Sequence, residues 1–394
     1  MSTGAEEMAA RRPRRSRKVL WIVLGALVVA AAIIGAGALA GWFSGSAITL
    51  VGAGATFPDP LIRKWSSVYV NRTLGAVRVN YQAVGSGAGV SQITAKTVDF
   101  AGSDAPLSAA ERAAAPGLLH IPETIGAVTA AYNLPGIPSG LNLTGDILVY
   151  MFLGSTSPSG ITMWNDPSIA AVNPGVSLPA QPISTVHRSD GSGTTFVWTS
   201  YLHLANANWT SALVGKNPAW PVGIGAQGNA GVAGKILQTP YSIGYVELAY
   251  TVQNSMTVAK IENPAGNFVL PSLASTAAAA AAASPTLPSS DGDWSGVSIL
   301  MAPGVDSYPV SSLTYLLVYK ELNVLGPSMT LARAKALVDF VWWAVSAQCP
   351  NAPATCDGQS YSSALVYVPL PQSVVTLDEQ GLRSVTFNGQ ALHP

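Results

Sequence analysis

The sequence predicts an α/β fold, because apolar runs repeatedly end in a turn of small residues that leads into a helical pattern. Three such units occur along the 394-residue chain, with turns at 52–58, 85–89 and 188–194. Each turn separates an apolar run from residues spaced as on one face of a helix. Because ligands of open α/β sheets bind at the carboxyl ends of the strands, we expect the three turns to converge.

The first two units share one pattern. An apolar run at 48–51 precedes the first turn, and a helical pattern follows it at 61–69. The second turn follows a predicted strand at 77–82 and leads into a helical pattern at 90–96. One glycine-rich turn of this kind is weak support for a ligand site, because backbone geometry alone can require glycine. Repetition of the pattern favours several helix N-termini directed at one anion.

The third turn carries the side chains best suited to bind an anion. The start of a helix leaves about four backbone N–H groups unpaired and has a partial positive charge. Gly193 permits close approach, while Ser192 and Thr194 add hydroxyl donors. Arg188 can grip an oxyanion with two N–H groups, and Asp190 can orient that guanidinium. An ordinary capped helix after a turn accounts for this segment equally well.

A carboxylate near an anion site is unexpected, because like charges repel each other. Residues 98–107 read as a short buried strand that ends at Asp104 and is followed by a turn. An ionised carboxylate only accepts hydrogen bonds, so it repels sulfate but can accept a proton from phosphate. Asp104 therefore favours phosphate over sulfate or molybdate. The alternative is that Asp104 caps the next turn, at 107–112.

Five segments in succession resemble the phosphate-binding protein family of phosphate ABC transporters. They lie at 52–58, 80–89, 98–108, 188–196 and 242–250, and the resemblance extends from about 48 to about 371. It implies a class II periplasmic-binding-protein fold, in which two lobes joined by a two-strand hinge close over dehydrated phosphate. It further implies a binding protein without enzymatic activity or cofactor, with phosphate and ABC permease subunits as its partners.

The same resemblance implies the residues that bind phosphate. These residues are Thr56, Phe57, Ser86, Asp104, Arg188, Ser192, Gly193 and Thr194. Asp104 would accept the phosphate proton, and Asp190 would orient Arg188. The chain departs from some members of the family at 87–88, where glycine and alanine replace a further serine. One auxiliary hydroxyl group is therefore expected to be absent.

Two crossings between lobes define the predicted domain boundaries. A long apolar run at 125–133 and a second at 308–319 are the predicted crossing strands. Lobe I would then comprise 46–128 and 308–394, and lobe II would comprise 129–307. A helical pattern at 331–344 should pack on lobe I. The alanine run at 277–283 predicts a helix, with a low-complexity linker as the alternative.

The N-terminal region predicts a membrane anchor. Residues 19–41 carry no charge and, at about 1.5 Å per residue, can cross a hydrocarbon layer about 30 Å thick. The basic tail at 1–18 should remain in the cytoplasm, which places the binding domain outside as part of a single-pass membrane protein. The alternative is a signal peptide cleaved near 38–40. A cysteine-linked lipid anchor is not expected, because no cysteine lies near this region.

Charge and cysteine content limit the partners and metal sites that we expect. The formal net charge is zero, and the concentration of basic residues in the first 18 positions leaves the rest acidic. A nucleic-acid partner is therefore not expected, and we expect a monomer. Cys349 and Cys356 enclose six residues and predict a disulfide in an oxidising compartment, with free thiols as the alternative. A metal site is not expected, because the histidines are dispersed at His120, His187, His203 and His393.

Two other functions are less consistent with the sequence. The motif at 223–228 has G-x-G-x-x-G spacing but no clear preceding strand, which disfavours a dinucleotide site. Ser192, His187 and Asp190 supply the residue types of a hydrolase, yet no G-x-S-x-G motif surrounds the serine. A binding protein for another oxyanion and a phosphate sensor are the remaining alternatives.

Overall fold

A nine-stranded mixed sheet forms the framework of the protein. The computed structural model describes residues 47–283, 286–346 and 358–392. The predicted anchor at 19–41, Cys349, Cys356 and His393 lie outside the described residues. Across the described stretches, no helix combines the length and the apolar character needed to cross a bilayer.

Strands and helices alternate over much of the chain, as predicted. The strands are β1 (Ile48–Gly54), β2 (Val77–Ala83), β3 (Phe100–Ser103), β4 (Leu118–Asn133), β5 (Asn142–Leu143), β6 (Ser184–Arg188), β7 (Ile224–Ala226), β8 (Ser242–Glu247), β9 (Thr257–Val258), β10 (Lys260–Glu262), β11 (Phe268–Val269), β12 (Ser311–Tyr319), β13 (Thr386–Phe387) and β14 (Gln390–Ala391). The helices are α1 (Asp59–Arg72), α2 (Ser86–Thr94), α3 (Ala109–Ala114), α4 (Gly145–Leu153), α5 (Pro167–Ala171), α6 (Gly193–Ala205), α7 (Gly228–Gln238), α8 (Leu248–Gln253), α9 (Leu273–Ala283), α10 (Leu331–Val345) and α11 (Gln372–Arg383).

Strand β4 joins the two halves of the sheet. The strand order is β2-β1-β3-β12-β4-β8-β6-β7, and β9 also pairs with β4. Residues 118–127 of β4 pair antiparallel with β12, whereas residues 128–133 pair antiparallel with β8. The strand predicted at 125–133 is therefore present, although it begins at 118 rather than 125. The second predicted strand is also present and begins at Ser311.

The helices follow the apolar periodicity of the sequence. Helix α1 has a proline in its first turn and buries Leu61, Ile62 and Trp65. Helix α10 begins after Thr330, whose side chain caps it, and it buries Trp343 as a core residue. The alanine run lies within helix α9, so the helical interpretation is confirmed. Helix α2 begins at Ser86, four residues earlier than the predicted pattern at 90–96.

Candidate anion-binding site

The three glycine-containing turns converge, as the sequence predicts. The first turn lies between β1 and α1, the second between β2 and α2, and the third between β6 and α6. The backbone N–H of Gly193 donates to Ser86 Oγ over 3.1 Å, which joins the second and third turns. Arg188 Nη1 donates to Thr56 Oγ1 over 3.1 Å, which joins the third turn to the first. These contacts form one buried polar cluster.

Glycine is required where the turns meet. Gly85 has φ of +93°, and a Cβ atom there would lie 2.3 Å from Asp190 Oδ2. A Cβ atom on Gly193 would lie 2.5 Å from Ser86 Oγ. Both distances are too short for any side chain. The small residues of the sequence pattern therefore permit the turns to touch, in addition to shaping each turn.

Arg188 is a buried cation at the end of β6. It is 2% exposed, and its Nε donates to Asp190 Oδ1 over 2.7 Å while Nη2 donates to Oδ2. Burial alone would raise the pKa of Asp190, but the hydrogen bonds and positive charge of Arg188 outweigh it and hold this pKa below its usual value. Asp190 thus lies where it can orient Arg188. The pair is largely neutralised, so little long-range positive field remains.

Asp104 is a buried acid beside this cation. It is 2% exposed, and its Oδ2 accepts a hydrogen bond from Thr194 Oγ1 over 3.1 Å. Within the described residues its Oδ1 has no hydrogen-bond partner. Burial raises the pKa of Asp104 to about 7, although the charge of Arg188 and the Thr194 hydroxyl act in the opposite direction. This carboxyl can therefore exist in either protonation state near neutral pH.

The alternative role for Asp104, capping the next helix, is wrong. Helix α3 is capped by Ser108, whose hydroxyl accepts from the backbone N–H of Glu111 over 3.3 Å. Glu111 completes a capping box by accepting from the Ser108 backbone N–H. Asp104 instead uses its own backbone N–H to donate to Ser86 Oγ over 3.2 Å. Its side chain is left to face the polar cluster.

The remaining predicted site residues also lie at the turns. Ser192 caps α6, because its Oγ accepts from the backbone N–H of Thr195 over 3.1 Å. Phe57 is fully buried, and its carbonyl accepts from the hydroxyl of Tyr367 over 2.7 Å. Tyr367 therefore holds the first turn from the C-terminal part of the chain. The structure brings all eight predicted residues to the three turns or to the end of β3.

A fourth turn contributes to the site, and sequence reasoning missed it. Asn229, in the first turn of α7, donates from Nδ2 to Thr56 Oγ1 over 2.9 Å and to Thr194 Oγ1 over 3.1 Å. The neighbouring Gly228 N–H donates to Asp190 Oδ1 over 3.0 Å. The motif at 223–228 contains the short strand β7 (Ile224–Ala226), and no strand directly precedes it, in agreement with the sequence interpretation. A glycine-rich turn before a helix was the signal that could have identified it.

The arrangement does not support the hydrolase alternative. Among the residues that the structure describes, no hydrogen bond joins the side chains of Ser192, His187 and Asp190. Ser192 caps a helix and Asp190 binds Arg188. His187 lies with Nδ1 3.0 Å from the Arg188 carbonyl oxygen, and its ring stacks on Trp220 at 4.7 Å. The three side chains lack the relay that nucleophilic catalysis requires.

Comparison with known proteins gives consistent results. Residues 43–348 match the family model described as the PBP superfamily domain. A Pasteurella multocida protein named phosphate-binding protein PstS is 43% identical over 334 residues, which cover 83% of this chain and 88% of that protein. A Xylella fastidiosa protein of the same name is 40% identical over 335 residues, with 83% of each chain covered. The phosphate-binding protein structure from Stenotrophomonas maltophilia has a TM-score of 0.62 at 19% identity, over 84% of this chain and 92% of that one, and shows a similar fold.

Proposed function

The chain belongs to the PstS family of phosphate-binding proteins within the PBP superfamily, and we propose that it binds inorganic phosphate outside the cytoplasm for delivery to an ABC-type permease. One observation carries the proposal for the ligand. Thr56, Ser86, Thr194 and Arg188 belong to one buried, hydrogen-bonded polar cluster with Asp104, whose carboxyl can accept a proton. Such a centre suits a tetrahedral anion that retains one proton at neutral pH.

Each predicted residue has a role in this proposal. Thr56, Ser86, Ser192 and Thr194 donate hydroxyl hydrogen bonds, and the turns at Phe57 and Gly193 supply backbone N–H groups. Arg188 supplies the positive charge at the ligand, and Asp190 holds its guanidinium in place. Asp104 accepts the phosphate proton through Oδ1, which has no hydrogen-bond partner among the residues that the structure describes. Sulfate has no proton to give, so it leaves a buried carboxylate opposed to an anion.

The proposal includes a closing motion of two lobes. Lobe I comprises 46–128 and 308–394, and lobe II comprises 129–307. Support comes from β4, which exchanges β12 for β8 as its pairing partner at residue 128. Contacts such as the hydrogen bond from Arg188 to Thr56 would form on closure, so phosphate that adds donors on both sides favours the closed state. The same binding event also suits a phosphate sensor, which is the second candidate function.

We also propose that residues 19–41 anchor the protein in the membrane. A tethered monomer would keep its binding domain close to the permease, which raises the local concentration of the two partners. The length and lack of charge of this segment support the proposal. Intact-mass measurement of protein extracted from membranes distinguishes a retained anchor from a cleaved signal peptide.

Titration calorimetry of the purified full-length protein tests the ligand assignment. Phosphate should bind and sulfate should bind far more weakly. Arg188→Ala should weaken phosphate binding by about 1.5–3 kcal/mol or more, the value of a hydrogen bond to a charged group. Arg383→Ala is a suitable control, because Arg383 is exposed on α11 and stacks on Trp342. Equal affinity for the two anions, or an unchanged affinity in Arg188→Ala, would contradict the proposal.

A further inference from the structure

Asn229 is a buried residue whose side chain contacts the hydroxyl groups of Thr56 and Thr194 at the site. We propose that it sets the polarity of the site by holding the hydroxyls of Thr56 and Thr194 as hydrogen-bond donors toward the ligand. Asn229 is thus a positioning residue, and the inference rests on the proposed binding of phosphate. Its side chain is fully buried at the start of α7. None of the sequence motifs that suggest phosphate binding includes this position.

The orientation of the Asn229 amide is fixed by a group that can only donate. Its Oδ1 accepts from the backbone N–H of Glu247 over 2.9 Å. A backbone N–H has no acceptor capacity, so the oxygen of the amide must face Glu247 and the nitrogen must face the opposite way. The nitrogen, Nδ2, has two hydrogens and lies within hydrogen-bond distance of two hydroxyl oxygens. Both of its donors are therefore directed at the site.

The hydroxyl of Thr56 is surrounded by donors. Its Oγ1 accepts from Arg188 Nη1 over 3.1 Å, from the Asn229 backbone N–H over 3.2 Å and from Asn229 Nδ2 over 2.9 Å. None of these three groups can accept a proton in return. The lone pairs of Oγ1 are thus occupied, and its own proton must point elsewhere. An oxyanion in the site is the acceptor that this proton requires.

The hydroxyl of Thr194 is also held as a hydrogen-bond donor. Its Oγ1 accepts from Asn229 Nδ2 over 3.1 Å and donates its proton to Asp104 Oδ2 over 3.1 Å. When Asp104 takes a proton from the ligand, it no longer has to accept from Thr194. The Thr194 proton can then turn to the ligand, while its oxygen stays bound to Asn229. Both threonines present donors, and Asp104 is left as the acceptor for the single ligand proton.

The variant Asn229→Asp tests this inference, because it keeps the shape of the side chain and removes the two donors. The introduced carboxylate would accept from both hydroxyls and turn them away from the ligand. One threonine hydroxyl would separate it from Arg188 and from Asp104, with Asp190 and Glu247 adjacent. Phosphate affinity at pH 8 should fall at least about 100-fold, because two hydrogen bonds to an anion are lost.

The dependence of this loss on pH separates polarity from simple structural support. A protonated carboxyl can donate to a hydroxyl, as the amide does, so the ratio of dissociation constants between Asn229→Asp and wild type should shrink as pH falls. Taking the ratio removes the effect of pH on phosphate itself, which both proteins share. A variant affinity within about threefold of wild type at pH 8, or a ratio independent of pH, overturns the inference.

A matched control and a double-mutant cycle complete the test. Asn173 is 5% exposed, and its Oδ1 accepts from the Asn142 N–H while Nδ2 donates to two carbonyl oxygens, but it lies outside the cluster. Asn173→Asp should leave phosphate affinity unchanged. If Asn229→Asp does not fold, as judged by circular dichroism, Asn229→Ala serves in its place. Asn229→Ala should weaken phosphate binding when it is introduced into the wild-type protein. It should have little further effect on phosphate affinity in a protein that already carries Thr56→Val and Thr194→Val. Additive losses of binding free energy would overturn the inference.

Discussion

Replacing Asp104 with asparagine should stabilise the ligand-free protein at alkaline pH, although Asp104 is proposed to be essential for phosphate selectivity. The carboxyl is 2% exposed, and its Oδ1 has no partner among the described residues. Within the described parts of the chain, Thr194 is the only residue that donates to the side chain, at Oδ2. An ionised group held in this way costs folding free energy, because burial removes water that the unfolded chain retains. Asparagine fills nearly the same volume without the charge.

The size of the effect follows from the pKa of Asp104. Burial raises this pKa from 3.8 to about 7 in the folded protein. Between these two values the folded state binds a proton that the unfolded chain has lost, so stability is fully present below pH 3.8 and declines up to pH 7. Each pKa unit corresponds to about 1.4 kcal/mol, so the loss is about 4 kcal/mol. Asp104→Asn should recover up to this amount at pH 8 and almost none in acid.

Urea denaturation in phosphate-free buffer, followed by tryptophan fluorescence at pH 4 and pH 8, measures the effect. Asp190→Asn is an informative control, because the pKa of Asp190 is lowered rather than raised. The stabilising contribution of Asp190 is present above the unfolded pKa and is lost as pH falls, so its replacement should destabilise the protein at pH 8. The reasoning is refuted if Asp104→Asn is no more stable than wild type at pH 8, or if their difference does not depend on pH.

Three further outcomes follow from contacts at the site. Gly193→Ala places a Cβ atom 2.5 Å from Ser86 Oγ, and overpacking of this size should weaken phosphate binding by about 5- to 150-fold in calorimetry. Glu111→Gln removes an ion pair with Lys216 between α3 and the loop before β7, and stopped-flow dissociation of phosphate should become about two- to fivefold faster. Wild-type phosphate affinity should change little with added sodium chloride, and a steep decrease would show that a diffuse positive field attracts the ligand.

The convergence of the turns could be predicted from the sequence because it follows from local chemistry. A glycine that admits a neighbouring backbone, as at Gly193, and a hydroxyl at a helix start, as at Ser86, are visible in a short window. The glycine-rich turn before Asn229 is visible in the same way, but the role of the Asn229 side chain is not. Its importance depends on β7 lying beside β6, and that pairing is a property of the strand order. Strand β7 has only three residues, too few for a clear alternating pattern.

The start of β4 was misplaced for a related reason. Pro122 and Glu123 interrupt its apolar run, and both residue types normally disfavour a strand. In the structure, the register between β4 and β12 shifts beside Pro122, which accommodates the missing N–H. Thr314 donates to Glu123 Oε1 over 2.6 Å, and burial raises the pKa of Glu123 to about 8, so the acid can be buried in its neutral form. The register shift at Pro122 and the hydrogen bond to Glu123 both depend on β12, which lies almost 200 residues away in the chain.

The charge balance of the site shows how a buried anion can be bound without a strong positive field. Arg188 already forms a two-point contact with Asp190, so a ligand at the proposed site would meet a guanidinium whose charge is largely compensated. An additional cation without such a partner would bind any anion of suitable size, including sulfate. Oriented hydroxyl and N–H groups instead favour a ligand oxygen that accepts hydrogen bonds only at specific positions. At a different position, Asp104 favours a ligand oxygen that carries a proton. In the proposed site, selectivity would therefore depend on matching each ligand oxygen to a donor or an acceptor, and a more positive site would weaken it.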